Sequence, residues 1–84
     1  MTSIEWDPKA RDFIRKLPKE IAERIFRKID VEVKDKPERY LETLVDIKGY
    51  KIRIGKYRLF VDYDKAKDHL IIRAIRHRKN AYKK

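Results

Sequence analysis

The stretch that decides the fold is GYKIRIGKYRLFVDY, residues 49–63. Apolar and polar side chains alternate on both sides of Gly55 and Lys56, and this period of two is typical of half-buried β-strands. A two-residue loop that begins with glycine suits a type II′ turn, because glycine readily adopts the positive φ that this turn requires. The stretch therefore predicts a β-hairpin over about residues 49–63.

The position of the loop also predicts the register of this hairpin. On one face Arg53 lies opposite Arg58, and Lys51 lies opposite Phe60. Like charges directly opposite each other destabilise a sheet, and such local conflicts are typical of functional sites. One interpretation is that Lys51, Arg53 and Arg58 converge on a phosphate group, which arginine can bind through two parallel hydrogen bonds. The alternative is that these basic side chains simply extend into water. The other face is apolar and carries Tyr50, Ile52, Ile54, Tyr57, Leu59 and Val61.

The N-terminal part of the chain predicts two amphipathic helices. Asp7 and Pro8 suit the N-cap and the first position of a helix. Apolar residues then recur at helical spacing over about residues 8–17 and again over about residues 18–34. Because Pro18 separates the two patterns, we expect a helical hairpin whose apolar faces cover a sheet.

Two further strands complete the expected fold. Residues 2–6 are rich in β-formers, and residues 70–75 form an apolar run, which predicts a last strand over about 69–75. A polar tail follows at residues 76–84. The sequence thus predicts one α+β domain over residues 1–84, with the element order β-α-α-β-β-β. Its antiparallel sheet of about four strands would pack against the N-terminal helical hairpin.

Length and composition exclude several classes of protein. The chain has 84 residues, 45% of them charged, and no cysteine. It is too short for several domains and lacks the run of about 20 apolar residues that spans a bilayer. Without cysteine it has no disulfide, iron–sulfur cluster or thiol nucleophile. Two histidines are too few for a convincing metal site, so we expect no metal and no cofactor. Since the N-terminus lacks the features of a signal peptide, we expect a cytoplasmic protein.

The positive charge is concentrated in the C-terminal part. The net charge is +10, and residues 49–84 contain 12 basic and 3 acidic side chains, against 12 and 11 in residues 1–48. A segment of one sign is typical of proteins that bind nucleic acid or an acidic protein partner. One asparagine, no glutamine and one methionine favour a heat-adapted source, such as a thermophilic archaeon. A melting midpoint of about 45–65 °C, the range of ordinary mesophilic domains, would contradict that source.

More basic residues follow the expected last strand. Arg76, Arg78 and Lys79 can add to the basic face of the hairpin only if the last strand lies beside it. Tyr82 offers a ring on which a nucleobase can stack, or a phenol that can transfer a proton. Packing of this tyrosine against the edge of the sheet is the alternative.

The hairpin stretch and the later segment RHRKNAY, residues 76–82, together resemble the RelE toxins of the ParE/RelE superfamily. These proteins are the toxic halves of prokaryotic type II toxin–antitoxin pairs. The resemblance covers most of the chain, including Lys-Leu-Pro at residues 16–18 between the two expected helices. It implies a compact sheet that carries two helices, and a metal-independent endoribonuclease. Such an enzyme enters the ribosomal A site, cleaves mRNA there by attack of the RNA 2′-hydroxyl, and so inhibits translation.

The resemblance also implies site residues and partners. The catalytic positions of the family match Lys51, Arg53, Arg58 and Tyr82. The family also has a late arginine, shortly before its C-terminal tyrosine, and this arginine matches either Arg78 or Arg76. We prefer Arg78, because this match keeps the His-Arg pair in place. The general base and acid stay open, since a lysine among cations, with a lowered pKa, or a histidine could serve. The partners implied are a RelB-like antitoxin, mRNA and the ribosome, with no membrane. Expected contacts to RNA or the ribosome are Lys56, Arg73, Arg76, His77 and Lys79.

Two other functions remain open at the level of the sequence. The first is a ParE-like toxin, which would inhibit DNA gyrase and need no nuclease site. The second is a noncatalytic module that binds RNA through the same basic face. Cleavage of mRNA in translating ribosomes separates the nuclease from both alternatives.

Overall fold

The computed structural model describes residues 2–45 and 48–78. A first strand and two helices are followed by a π-helical segment, a short third helix and four more strands. In chain order these are β1 (Ser3–Trp6), α1 (Pro8–Arg15), α2 (Lys19–Arg27), the π-helical segment Lys28–Val33, α3 (Pro37–Tyr40), β2 (Glu42–Thr43), β3 (Tyr50–Ile54), β4 (Tyr57–Asp64) and β5 (His69–His77).

The strands form a single mixed sheet in the order β1-β5-β4-β3-β2. The α+β class is confirmed, but the expected sheet of about four antiparallel strands is wrong in two respects. The two-residue strand β2 adds a fifth strand, and β1 pairs parallel to β5. The three other pairings, from β2 to β5, are antiparallel, so that β1 runs in the same direction as β5 and β3 and opposite to β2 and β4. The element order of the expectation also lacked β2 and α3.

The two main helices begin close to the expected positions. Asp7 caps α1, because its Oδ1 accepts a hydrogen bond of 2.9 Å from the backbone N–H of Lys9. Helix α1 ends at Arg15 rather than at residue 17, and α2 runs on through the π-helical segment as far as Val33. Among the described residues, no helix is long and apolar enough to cross a bilayer.

The core lies between the helices and one face of the sheet. Ile25 and Ile29 from the helical side and Leu59 and Ile72 from the sheet are at most 1% exposed. They belong to one buried cluster with the other inward-facing residues of β3, β4 and β5. Among the described residues, no helix contributes to the opposite face, which we call the open face. The open face carries the alternate residues of the same strands, including Arg53, Arg58 and Arg76.

Candidate nucleic-acid interface

The hairpin has the register that the sequence predicts. Arg53 pairs with Arg58 and Lys51 with Phe60 on the open face, while Ile54 pairs with Tyr57 on the face that is covered by the helices. The loop residue Gly55 has a φ of 57°, as the first central position of a type II′ turn requires. The convergence of basic side chains on one face of the hairpin is therefore a property of its backbone register.

Strand β5 adds a third arginine to this face. It pairs with β4 and places Arg76 directly opposite Arg58, so that Arg53, Arg58 and Arg76 are neighbours across three strands. We call these three residues the arginine row. Directly opposite residues in adjacent antiparallel strands have Cβ atoms about 4.5–5.5 Å apart. The expectation that the last strand ends near residue 75 is wrong, since β5 extends to His77 and Arg76 lies in the strand rather than in a tail.

The other candidate for the late arginine, Arg78, also lies beside the hairpin. Its backbone N–H donates a hydrogen bond of 2.6 Å to the carbonyl oxygen of Lys56, in the hairpin loop. Its side chain lines a depression of about 140 Å³ together with residues that include Arg53 and Arg58. Both arginines are thus close to Arg58, Arg76 in the next strand and Arg78 at the loop end of the hairpin.

A carboxylate from β2 contacts the arginine row. The Glu42 Oε2 lies 3.2 Å from the Nε of Arg53, and both side chains are about half exposed. Because this carboxylate binds Nε, the terminal nitrogens of the guanidinium group remain able to donate to a phosphate. Sequence analysis did not find Glu42, since a strand of two residues shows no periodicity.

Arg73, one of the expected RNA contacts, is held by a carboxylate. Its Nε pairs with the Oδ2 of Asp62 on β4, and this hydrogen bond raises the pKa of the guanidinium group. Arg73 is the residue that a β-bulge inserts into β5, because Phe60 pairs with Ala74 whereas Val61 pairs with Ile72. Asp62 was also missed, although the alternation along β4 places it on the same face as Arg58. The positive charge of Arg73 is therefore compensated.

The remaining expected site residues fall in different places. His77 lies on the face covered by the helices, where its ring packs edge-to-face on Tyr57 with ring centroids 5.2 Å apart. Lys56 is exposed in the hairpin loop. Lys79 and Tyr82 lie outside the described residues. Within residues 2–45 and 48–78, no three His, Asp or Glu side chains lie close enough together to hold a metal ion.

The fold and the family comparison together define the class of this protein. The fold is a small mixed sheet that carries a helical hairpin on one face and the arginine row on the other. The family described as "ParE toxin of type II toxin-antitoxin system, parDE" matches residues 4–82. The protein is thus a toxin of a type II toxin–antitoxin system. The chain belongs to the ParE toxin family, within the RelE/ParE superfamily that the sequence resembles.

Solved structures of RelE toxins share this fold. The RelBE2 toxin–antitoxin complex of Mycobacterium tuberculosis matches with a TM-score of 0.84 and 23% identity, over 92% of this chain and 98% of that one. The intact RelBE complex of Escherichia coli matches with a TM-score of 0.71 and 25% identity, over 89% and 94% of the two chains. The archaeal RelE–RelB complex of Pyrococcus horikoshii matches with a TM-score of 0.75 and 18% identity, over 92% and 94%. No curated protein matches the sequence significantly.

Proposed function

We propose that this toxin is a metal-independent endoribonuclease that acts in the cytoplasm and cleaves mRNA in the ribosomal A site. The observation that carries the proposal is the arginine row, which places Arg53, Arg58 and Arg76 side by side on the open face. A sheet selected for stability alone would separate these charges. A phosphate group that accepts hydrogen bonds from several of them would compensate the repulsion. The similarity to the E. coli RelBE toxin–antitoxin complex, at 25% identity, supports a toxin of the RelE type, for which the family resemblance implies this activity.

The arrangement suits cleavage of RNA by its own 2′-hydroxyl. In this reaction the 2′-oxygen forms a bond to phosphorus while the bond from phosphorus to the 5′-oxygen breaks. The 2′-hydroxyl gives its proton to a base, and the 5′-oxygen receives a proton from an acid. The products are a 2′,3′-cyclic phosphate and a 5′-hydroxyl. Because negative charge builds up on the phosphoryl oxygens in the transition state, preorganised guanidinium groups can stabilise that state most.

The geometry supports a division of roles within the site. We assign Arg58, at the centre of the row, to the scissile phosphate, and Lys51 or Arg53 to the side of the 2′-hydroxyl. For the late arginine we favour Arg76 over Arg78, because Arg76 stands directly opposite Arg58 in the sheet register. Tyr82 would stack on a base or assist proton transfer, as the family resemblance implies.

An assay with programmed ribosomes tests the function directly. Purified protein is added to ribosomes that are stalled with a defined codon in the A site, and the ends of the mRNA are mapped. We expect cuts within that codon, cyclic phosphate at the new 3′ end, and full activity of protein that was treated with a metal chelator and dialysed before it is added to the ribosomes. The same mRNA without ribosomes should stay intact. Intact mRNA on the ribosome would contradict the proposal.

The family match supports a second candidate function, because the matching family carries the name of the ParE toxins. Such a toxin would inhibit DNA gyrase. Supercoiling of plasmid DNA by purified gyrase, with and without this protein, separates the two candidates. Inhibition of gyrase without cleavage of mRNA would favour the ParE-like function. RNA binding that weakens steeply with salt, without either activity, would favour a noncatalytic module.

We also propose a RelB-like antitoxin as a partner. The matching structures from M. tuberculosis, E. coli and P. horikoshii are all complexes of toxin with antitoxin. With a net charge of +10, this chain favours a partner that carries acidic segments. Such a partner would neutralise toxicity if it covered the arginine row.

A further inference from the structure

Phe60 occupies the centre of the open face. It lies on β4, opposite Lys51 on β3 and Ala74 on β5. Along β4 it follows Arg58 by two residues, so that both side chains point to the same face about 7 Å apart. Its ring is half-buried. Phe60 therefore stands between the side chains of two neighbouring strands and next to the arginine row.

Phe60 differs from the other aromatic residues in the described part of the chain. Most of them pack against the hydrophobic core, namely Trp6, Phe13, Tyr40, Tyr50, Tyr57 and Tyr63. Phe26, which is 37% exposed, forms an edge-to-face pair with Trp6. Phe60 belongs neither to the core nor to any of the ring pairs formed by the described residues. Packing of the core therefore does not account for an aromatic ring at this position.

The residues directly opposite Phe60 are a small one and a flexible one. On β5 the residue opposite is Ala74, whose side chain is a single methyl group. The preceding residue of β5, Arg73, is held by Asp62. On β3 the residue opposite is Lys51, whose flexible side chain can move aside. A base that approaches from the open side can thus lie against the phenyl ring.

We propose that Phe60 is a stacking platform for one nucleobase of the mRNA, next to the phosphate bound by the arginine row. This inference rests on the proposed nuclease function and names the part of the substrate that positions the reacting phosphate. A separation of about 7 Å between Arg58 and Phe60 lies within the reach of one nucleotide. Stacking on an aromatic ring accepts every base, because all bases have a π-face. Phe60 is then a positioning residue, which holds the nucleotide without taking part in proton transfer.

The test combines a protein variant with modified substrates. Phe60→Leu keeps an apolar side chain but removes the ring, and Phe60→Trp keeps a ring. Single-turnover cleavage is measured on programmed ribosomes, with mRNAs that lack the base at each position of the A-site codon in turn. We expect Phe60→Leu to cleave about 10-fold more slowly or worse, given the usual contribution of one stacked base, and Phe60→Trp to stay near the wild-type rate.

The abasic substrates distinguish stacking from a general structural defect. At one codon position, removal of the base should slow the wild type but have little further effect on Phe60→Leu, because the stacking contact is already lost. Phe26→Leu is the matched control, since it makes the same change on the helical side of the protein and should cleave at the wild-type rate. The melting midpoint of each variant shows whether the fold is retained.

The possible outcomes separate the two proposals. If the wild type cleaves no mRNA on the ribosome, the proposed function fails and the role of Phe60 fails with it. If the wild type cleaves and Phe60→Leu cleaves equally fast, only the stacking role is overturned. The stacking role is also overturned if the losses of cleavage rate caused by Phe60→Leu and by removal of the base simply multiply at all three codon positions.

Discussion

The two ends of the open face differ in which charges lie next to one another across the strands. At the hairpin end, Arg53, Arg58 and Arg76 stand next to one another across three strands. At the other end, near the turn between β4 and β5, basic side chains lie next to carboxylates. Arg73 pairs with Asp62, and the Nε2 of His69 lies 3.1 Å from the Oε1 of Glu5.

This difference separates pairings that stabilise the sheet from pairings that do not. Opposite charges across neighbouring strands stabilise a sheet and like charges destabilise it. The turn end follows that rule, and its pairs need no ligand to explain them. The arginine row breaks the rule on the same strands and the same face, although Glu42 contacts Arg53, and such a local conflict is typical of a functional site.

The largest expected effect comes from removing the centre of the arginine row. We expect Arg58→Ala to lower the cleavage rate on the ribosome by about 100-fold or more, since loss of one group that stabilises the transition state has an effect of this size. Growth inhibition by the expressed protein should disappear. The melting midpoint should change little, because the substitution also removes like-charge repulsion on both sides.

Arg15→Ala provides the matched control for this variant. Arg15 lies on α1, and its side chain is 77% exposed. The substitution removes the same positive charge on the helical side of the protein, opposite to the open face, so cleavage should continue at the wild-type rate. Equal toxicity of Arg58→Ala and wild type, with both folded, would rule out the role that we give to Arg58.

A smaller effect is expected from comparing the two candidates for the late arginine. If Arg76 contacts the phosphate, Arg76→Ala should cleave about 10-fold more slowly than Arg78→Ala, the difference expected for a charge-assisted hydrogen bond to the phosphate. Binding of RNA should weaken in both variants, and each should show a salt dependence of binding that is reduced by about one counterion. The reverse order of cleavage rates would assign the role to Arg78.

The smallest expected effect concerns the turn between β4 and β5 and leaves cleavage untouched. The Oδ1 of Asp68 accepts hydrogen bonds of 2.8 Å from the hydroxyl groups of Thr2 and Tyr63. The hydrogen bond from Tyr63 is the largest cause of two shifts. It lowers the pKa of Asp68 below 3.8, and it raises the pKa of Tyr63 from 10.0 to about 12.

These shifts predict the pH range over which this turn contributes to stability. A lowered pKa in the folded state means that Asp68 stabilises the fold above its unfolded pKa of 3.8, and that this contribution is lost as the pH falls through the folded value. The raised pKa of Tyr63 means that its hydrogen bond stabilises the fold below pH 10.0, and this contribution to stability is lost as the pH rises towards about 12. Urea unfolding as a function of pH should show both losses, and Asp68→Asn should weaken both. An unchanged pH profile in Asp68→Asn would contradict this account.

Local patterns in the sequence were sufficient for the hairpin and for its part of the site. The loop residue Gly55 and the alternation on either side of it fix the pairing of β3 with β4, and hence the common face of Lys51, Arg53 and Arg58. The helices were also predictable, because their apolar spacing and the Asp7-Pro8 start are local signals.

The features that sequence analysis missed depend on contacts between distant segments. The parallel pairing of β1 with β5 places Ser3 opposite His69, and the local sequence of neither strand indicates which strand it pairs with. The place of Arg76 depends on the length of β5 and on the bulge opposite Phe60 and Val61, which an unbroken apolar run conceals. The predicted roles of Lys79 and Tyr82 stay predictions, since both residues lie outside the described part of the chain.

The π-helical segment after α2 has a physical reason that the spacing alone could have suggested. Ile25, Ile29 and Val33 follow one another at intervals of four residues, and all are at most 1% exposed. An α-helix has 3.6 residues per turn. Side chains that are four residues apart therefore do not lie directly above one another, and each one points further away from the core than the one before. Wider i→i+5 winding corrects this drift and keeps all three residues in the core.

The position of β5 between β1 and β4 has a consequence for synthesis of the protein. Strand β5 is among the last described segments to leave the ribosome, yet it pairs with strands on both of its sides and supplies Arg76. Until it is in place, the N-terminal strand has no partner and the arginine row lacks a member. The proposed cleavage site is therefore incomplete until β5 has been synthesised. Because the pairing of β1 with β5 joins the two ends of the described chain and such long-range pairing is slow, the open face is expected to be completed only at the end of folding.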